Sequence, residues 1–192
     1  MDIREFFFRN RSYTSIPLAL AILYFADRTG NQLFPGATLM ILGELLRFNG
    51  VRYAGGATRT RKVGAKILCT SGPFGYVRNP LYLGNMMIYS GVVLLAGGTH
   101  VWIILLVAIA FFAVQYGLII SLEEASLYDL FGQDYEEYVR AVPRLIPRLT
   151  RWVGRHGTQP APWLKTLRTE KRTLQMLVVF VCLLTARVYL LR

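Results

Sequence analysis

The stretch 101-VWIILLVAIAFFAVQYGLIISL-122 contains no charged residue. Crossing the hydrocarbon core of a bilayer takes about 20 predominantly apolar residues in a helix, so Val101 to Leu122 reads as a membrane span. Leu81 to Gly98, just upstream, is a second uncharged run, and the turn Gly97-Gly98-Thr99-His100 separates the two. Leu174 to Leu191 is a third, interrupted only by Arg187 near its end, where a long side chain can snorkel. Two weaker segments lie further upstream. Ser12 to Ala26 is short and contains Pro17, and Leu33 to Tyr53 contains Glu44 and Arg47, spaced i,i+3 so that they can pair on one helix face. The pattern predicts an all-α, polytopic integral membrane protein with about five transmembrane helices.

Composition agrees. Of 192 residues 54% are hydrophobic and only 17% charged, against about 25% charged in a soluble domain. That hydrophobicity excludes intrinsic disorder. The cysteines, Cys69 and Cys182, and the histidines, His100 and His156, are too few for a disulfide scaffold or a Cys/His zinc site. No metal centre is expected. The formal net charge of +11 would suit a nucleic-acid partner, but its distribution follows topology instead. Arg4, Arg9 and Arg11 precede the first span. Arg52, Arg59, Arg61, Lys62, Lys66 and Arg78 lie between spans two and three with no acid among them, and nine more basic residues run from Arg140 to Arg172. The turn 97–100 has none, and Asp27 to Gln32 has only Arg28. By the positive-inside rule the N-terminus and the two large basic segments are cytoplasmic and the C-terminus lies outside.

The whole chain, 1–192, reads as a single membrane domain, with no internal repeat and no signal-peptide cleavage site after the first apolar run. Residues 149–173 form a linker, loosest from Gly154 to Pro162, ahead of an additional C-terminal transmembrane helix at 174–191.

Two cytoplasmic segments carry candidate chemistry. In Glu123 to Val139, the apolar positions Leu127, Leu130, Phe131, Tyr135 and Tyr138 recur at helical spacing, which suggests an interfacial helix with a break at Gly132. Glu123 and Glu124 sit where the chain leaves the hydrocarbon. Adjacent carboxylates repel, so they call for a cationic or hydroxyl-rich ligand or an arginine; ending one helix and starting another is the plainer alternative. The other segment is Ser71-Gly72-Pro73-Phe74-Gly75-Tyr76-Val77-Arg78-Asn79-Pro80-Leu81-Tyr82-Leu83-Gly84. Its glycines and prolines forbid a simple helix, and irregular backbone at membrane depth survives only when buried in protein or lining a cavity. Arg78 offers a planar fork to a carboxylate, Tyr76 and Tyr82 offer aromatic faces with hydroxyls, and Gly84 permits close approach of a ligand or a neighbouring helix. A span-entrance turn with an interfacial arginine is the alternative here.

Taken in order, Gly72-Pro73-Phe74, Tyr76-Val77-Arg78-Asn79-Pro80-Leu81-Tyr82-Leu83-Gly84, Glu123-Glu124 and Val142-Pro143-Arg144-Leu145-Ile146-Pro147 resemble the isoprenylcysteine carboxyl methyltransferase and phospholipid N-methyltransferase family. That family's pattern is Arg-His-Pro-x-Tyr-x-Gly followed one span later by Glu-Glu, and the likeness covers roughly residues 40–148. The resemblance implies an S-adenosyl-L-methionine site on the cytoplasmic side of the membrane helices. Gly72, Pro73, Tyr76, Arg78, Asn79, Pro80, Tyr82 and Gly84 would supply one wall and Glu123 and Glu124 another. The segment with Tyr135, Tyr138 and Arg144 would fold over the cofactor. The family histidine is Asn79 here, which keeps a donor and an acceptor but no proton titrating near neutral pH.

Methyl transfer from a sulfonium needs alignment above all. Without a histidine base the resemblance points to a carboxylate or amine nucleophile on a lipophilic substrate entering laterally, with no catalytic base assigned. A non-catalytic membrane binding or structural protein and a nicotinamide-dependent lipid reductase are the competing readings. The sequence leaves the oligomeric state open.

Overall fold

A computed structural model describes residues 2–27, 29, 32–55, 64–65, 67–154 and 157–189. Arg28, Arg59, Arg61, Lys62, Lys66 and His156, used above for charge placement or metal binding, lie outside the described residues. Six α-helices follow in order: α1 (Ile3–Asn10), α2 (Ile16–Phe25), α3 (Leu33–Ala54), α4 (Pro80–Ala96), α5 (Val101–Ala141) and α6 (Trp163–Tyr189). A 3-10 turn at Gly72–Gly75 lies between α3 and α4. No strand occurs among the described residues, as the all-α reading expects.

Two helices, α5 and α6, are long and apolar enough to cross a membrane, and α2 and α4 are shorter apolar helices. The segment expected as the first span is broken. A turn follows α1, and Pro17 in the first turn of α2 leaves a helix of 10 residues, about 15 Å long at 1.5 Å per residue. The C-terminal helix begins eleven residues earlier than its apolar run, at Trp163, because Thr166 and Glu170 present a buried face there. The linker therefore stops at Pro162, whose carbonyl accepts the N–H of Thr166.

Helix α5 runs for 41 residues with non-helical dihedrals at Gly132 (φ 49°, ψ −119°). Only glycine adopts such a conformation without strain. The break at Gly132 expected from sequence is thus present, and it turns Gln133–Ala141 back so that the end of α5 meets the loop before α4.

Backbone contact ties α3 to α4. Gly36, Gly43 and Gly50 recur every seven residues on α3, and Gly84 and Gly91 do so on α4. A Cβ on Gly43 would lie 2.7 Å from the Gly84 carbonyl oxygen, and one on Gly91 2.6 Å from that of Gly36. Small residues let two antiparallel helices approach this closely, the usual device where apolar solvent supplies little driving force. Around this pair the main core gathers Phe8, Ile22, Ile88, Val93, Phe112, Tyr116, Ile119, Ile120 and Leu184, drawn from α1, α2, α4, α5 and α6. A second cluster, Leu68, Tyr135, Tyr138 and Val142, sits under the loop before α4.

Candidate functional site

Loop 71–79 is pinned against the segment that follows α5. Arg78 N–H donates to the Pro143 carbonyl, Arg148 N–H to Tyr76 and Trp152 N–H to Gly75, each at 2.9 Å. Gly72 takes φ 60°, and a Cβ there would fall 2.3 Å from the Tyr53 ring. With Pro73 it builds the 3-10 turn, whose Phe74 carbonyl accepts the Tyr138 hydroxyl at 2.8 Å. Pro80 then opens α4.

Arg78 and Glu124 meet at the centre. Arg78 donates through Nε (3.3 Å) and Nη2 (3.0 Å) to Glu124 Oε1. Its Nη1 donates to the carbonyls of Val139 (3.1 Å) and Val142 (2.6 Å). The last carbonyls of a helix have no partner within it, so one guanidinium both closes the end of α5 and neutralises Glu124. Arg144 binds the same carboxylate from the other side, through Nε to Oε1 and Nη2 to Oε2, and this raises the affinity of its guanidinium for its proton. The Arg144 side chain is 46% exposed, and its Nη1 has no partner among the described residues. Asn79 Nδ2 donates to the Arg144 carbonyl at 3.2 Å, so the amide that replaces the family histidine holds the segment carrying Arg144.

The adjacent acids occupy different environments. Glu124 is buried between two arginines, whereas Glu123 is half-buried and accepts the Tyr82 hydroxyl at 2.9 Å through Oε1. No ion pair reaches Glu123 among the described residues, and its Oε2 has no hydrogen-bond partner there. Tyr82 packs against Tyr116 with the rings tilted by 40° and their centroids 4.8 Å apart, which fixes the side of α4 that faces α5.

The structure therefore joins Arg78, Asn79, Glu124 and Arg144 in one network and pairs Tyr82 with Glu123, while Tyr76 lies in the loop before Arg78 with its side chain exposed. Gly72, Pro73 and Pro80 shape the backbone that delivers them. Gly84 faces the other way, against Gly43 and Arg47 of α3, the helix-approach alternative noted from sequence. Tyr135 and Tyr138 are fully buried in the second cluster, with Tyr138 against Trp152 at 5.4 Å; they support the segment after α5 rather than present open faces. Sequence reading missed Arg148, whose Nη1 donates to the Ala141 carbonyl at 2.8 Å, and Trp152. Only the proximity of Arg148 to the Val142–Pro147 motif could have signalled it. Elsewhere the expected Glu44–Arg47 pair is present at 3.7 Å, and Arg47 also pairs with Glu170 of α6, which the sequence did not indicate.

Two of these groups could hold a ligand that carries both an ammonium and a carboxylate. The open Glu123 oxygen suits an ammonium or ribose hydroxyls, and the free arm of Arg144 suits a carboxylate. Among the described residues no group of three or more His, Cys, Asp or Glu side chains gathers as it would around a metal.

The profile of the phospholipid methyltransferase family matches residues 31–134. Two curated relatives are similar. One is a protein-S-isoprenylcysteine O-methyltransferase of Schizosaccharomyces pombe, 32% identical over 113 residues, which take in 56% of this chain and 46% of the relative. The other is a cobalt–zinc–cadmium resistance protein of Cupriavidus metallidurans, 33% identical over 87 residues, 45% of this chain and 38% of the relative. The matched part spans less than half the length of either. No solved structure matches.

Proposed function

Since the chain belongs to the phospholipid methyltransferase family, we propose that it transfers a methyl group from S-adenosylmethionine to a lipid or lipid-linked carboxylate or amine at the cytoplasmic membrane face. In this reading the basic segments 52–78 and 140–172 lie on the cytoplasmic side. The observation that carries it is the division of labour between the two glutamates: Glu124 is neutralised by Arg78 and Arg144, while Glu123 forms no ion pair among the described residues and accepts the Tyr82 hydroxyl there.

When bound, the cofactor supplies an electrophilic methyl on a sulfonium with a good thioether leaving group. The chain's own contribution is orientation. Glu123, held by Tyr82, takes the cationic or hydroxyl-bearing part; Arg144, held by Glu124 and Asn79, takes the carboxylate. Tyr76, exposed at the loop, offers its ring to the adenine or the sulfonium. Asn79 has no proton to exchange near neutral pH, and its donor is already committed to Arg144. An acceptor that reacts without a strong base follows: an ionised carboxylate, or an amine whose proton is released as burial lowers its pKa.

Calorimetry on the protein in lipid nanodiscs tests this. The native protein binds S-adenosylmethionine and Glu123→Gln weakens binding at least about tenfold, the scale of one charged contact. No binding by the native, folded protein overturns the proposal.

A further inference from the structure

Helix α6 lies outside the stretch matched by the family profile, which ends at residue 134, and its first three turns are built differently from the rest. One face is docked. Thr166 and Glu170 are buried, and Glu170 is ion-paired to Arg47 of α3 with a side chain only 2% exposed. Trp163, at the start, stacks on Phe48 at 5.5 Å and lies under the Arg52 guanidinium at 3.8 Å. The opposite face carries Lys165, Arg168, Lys171 and Arg172, all exposed. At about 100° per residue these four share one side of the helix, and none of their side chains has a partner among the described residues. The acid that would offset them, Glu170, points inward and is already neutralised by Arg47.

Apolar surface is interleaved with this stripe. Leu164 and Leu167 are exposed beside the cations, and Leu167, Arg168, Lys171, Leu174 and Gln175 form one shallow, open surface along the helix. Immediately beyond comes the apolar run from Leu174, so the four cations lie within about two and a half turns of its start, where a span of this kind meets the headgroups. A stripe of that kind needs an anion that carries its own apolar chain and lies in the same plane.

We infer that the N-terminal turns of α6 form a docking surface for anionic phospholipid, the headgroup phosphates meeting Lys165, Arg168, Lys171 and Arg172 and an acyl chain lying along the exposed Leu164, Leu167 and Leu174 side. Positive charge next to a span also reports topology, but topology requires no single face and no rigid attachment to the core. Here the docked face holds the stripe in one orientation relative to α3, so bound lipid grips the C-terminal helix and the family core together. The inference does not rest on the methyl-transfer reading.

The test is native mass spectrometry of the full-length protein in detergent, titrated with phosphatidylglycerol or phosphatidylcholine of identical acyl chains. Each cation near an anionic headgroup is worth about fivefold in affinity. The native protein should prefer phosphatidylglycerol at least about tenfold. K165Q/R168Q/K171Q/R172Q should abolish the preference, while a charge-matched control, R4Q/R9Q/R140Q/R151Q, should retain it. Should the first variant fail to fold, raising the ionic strength to about 1 M, where the screening length falls to about 3 Å, should erase the preference of the native protein. Equal affinity of the native protein for the two lipids overturns the inference. So does an equal loss in the control, a preference that survives the α6 substitutions, or one that survives high salt.

Discussion

Arg78 grips Glu124 across 46 residues of chain with two of its donors, at 3.3 and 3.0 Å, while a third caps the carbonyls that end α5. Both side chains are almost covered, at 10% and 11% exposure. Removing one partner of such a pair leaves the other charge buried, which costs about 3–5 kcal/mol. Arg78→Ala and Glu124→Ala should therefore lower thermal stability sharply as well as cofactor affinity. Arg78→Lys should behave nearly as badly, since an ammonium cannot reproduce the planar fork that serves a carboxylate and two carbonyls together. Denaturant titration of the three variants beside the native protein measures this; an Arg78→Lys variant of native stability would show that the capping bonds carry little weight.

Asn79 yields a different expectation. Its Nδ2 contributes one hydrogen bond, to the Arg144 carbonyl at 3.2 Å, worth about 1 kcal/mol net. Asn79→His restores the residue usual at this position of the family motif and keeps a ring N–H for the same carbonyl. S-adenosylmethionine binding by Asn79→His should remain within about fivefold of native. Complete loss of binding in a folded variant would place the asparagine amide in direct contact with the cofactor.

How far the sequence discloses this molecule depends on the kind of signal. Helices appear where apolar runs are long, because the period and the absence of charge are local properties; α4 and α5 begin close to the positions read from Leu81 and Val101. The break at Gly132 was legible for the same reason. The site motif placed Arg78, Glu123, Glu124 and Arg144 together, but not their pairing. Nothing local shows that Arg78 is occupied by α5 carbonyls or that Tyr135 and Tyr138 are core. Those facts follow from the reversal at Gly132, which brings residues 138–152 onto loop 71–79. Nor did the composition of α6 reveal Glu170 as the partner of Arg47, 123 residues away, since a lone acid in a basic stretch looks like a solvated face. The seven-residue spacing of glycines on α3 and α4 was not read from the sequence, because it gains meaning only when the two helices face each other.

That facing is itself open to trial. Gly43→Ala places a methyl 2.7 Å from the Gly84 carbonyl and 2.8 Å from the Met87 Cβ, and neither neighbour is the free end of a flexible chain. Overpacking of this kind costs about 1–3 kcal/mol. Gly117→Ala, with nothing within 4 Å of its Cβ position, is the matched control and should gain slightly, by the helix propensity of alanine. Thermal unfolding in one detergent should separate the two by several degrees; indistinguishable midpoints would mean that α3 and α4 do not touch backbone to backbone.

Sidedness can be read by cysteine accessibility, and the structure selects the positions. Gly98, in the turn between α4 and α5, has φ 88° and a Cβ would meet the Phe25 carbonyl oxygen at 2.6 Å, so a cysteine there would be strained. Thr99 is exposed in the same turn, and Leu149 is 99% exposed in the basic segment after α5. Burial pushes the Cys69 thiol above its ordinary range and slows its alkylation, yet replacing both Cys69 and Cys182 by serine keeps the readout clean. In that background, Thr99→Cys should react with an impermeant maleimide added to intact cells, and Leu149→Cys only after permeabilisation. The reverse pattern would invert the proposed orientation.

The Arg47–Glu170 pair separates two ways in which α6 could matter. The charges sit between α3 and α6 with side-chain exposures of 12% and 2%, and Glu44 stands 3.7 Å from the same guanidinium. Glu170→Ala should be strongly destabilising, by about 3 kcal/mol, because it removes a buried carboxylate from the buried Arg47 guanidinium. The double variant Arg47→Met/Glu170→Leu should recover most of that loss, since apolar groups of similar volume can replace a buried pair at little net cost. Glu44, then without its cation, would have to bind a proton or draw in water, so recovery should be fullest with Glu44→Gln added. Equilibrium unfolding of the single, double and triple variants tests the order. If Glu170→Ala is neutral while truncation before Trp163 is severe, α6 is held by Trp163, Phe180 and Leu184 rather than by charge; if the double variant is worse than the single, the pair fixes the register of α6 on α3 in a way that apolar packing cannot.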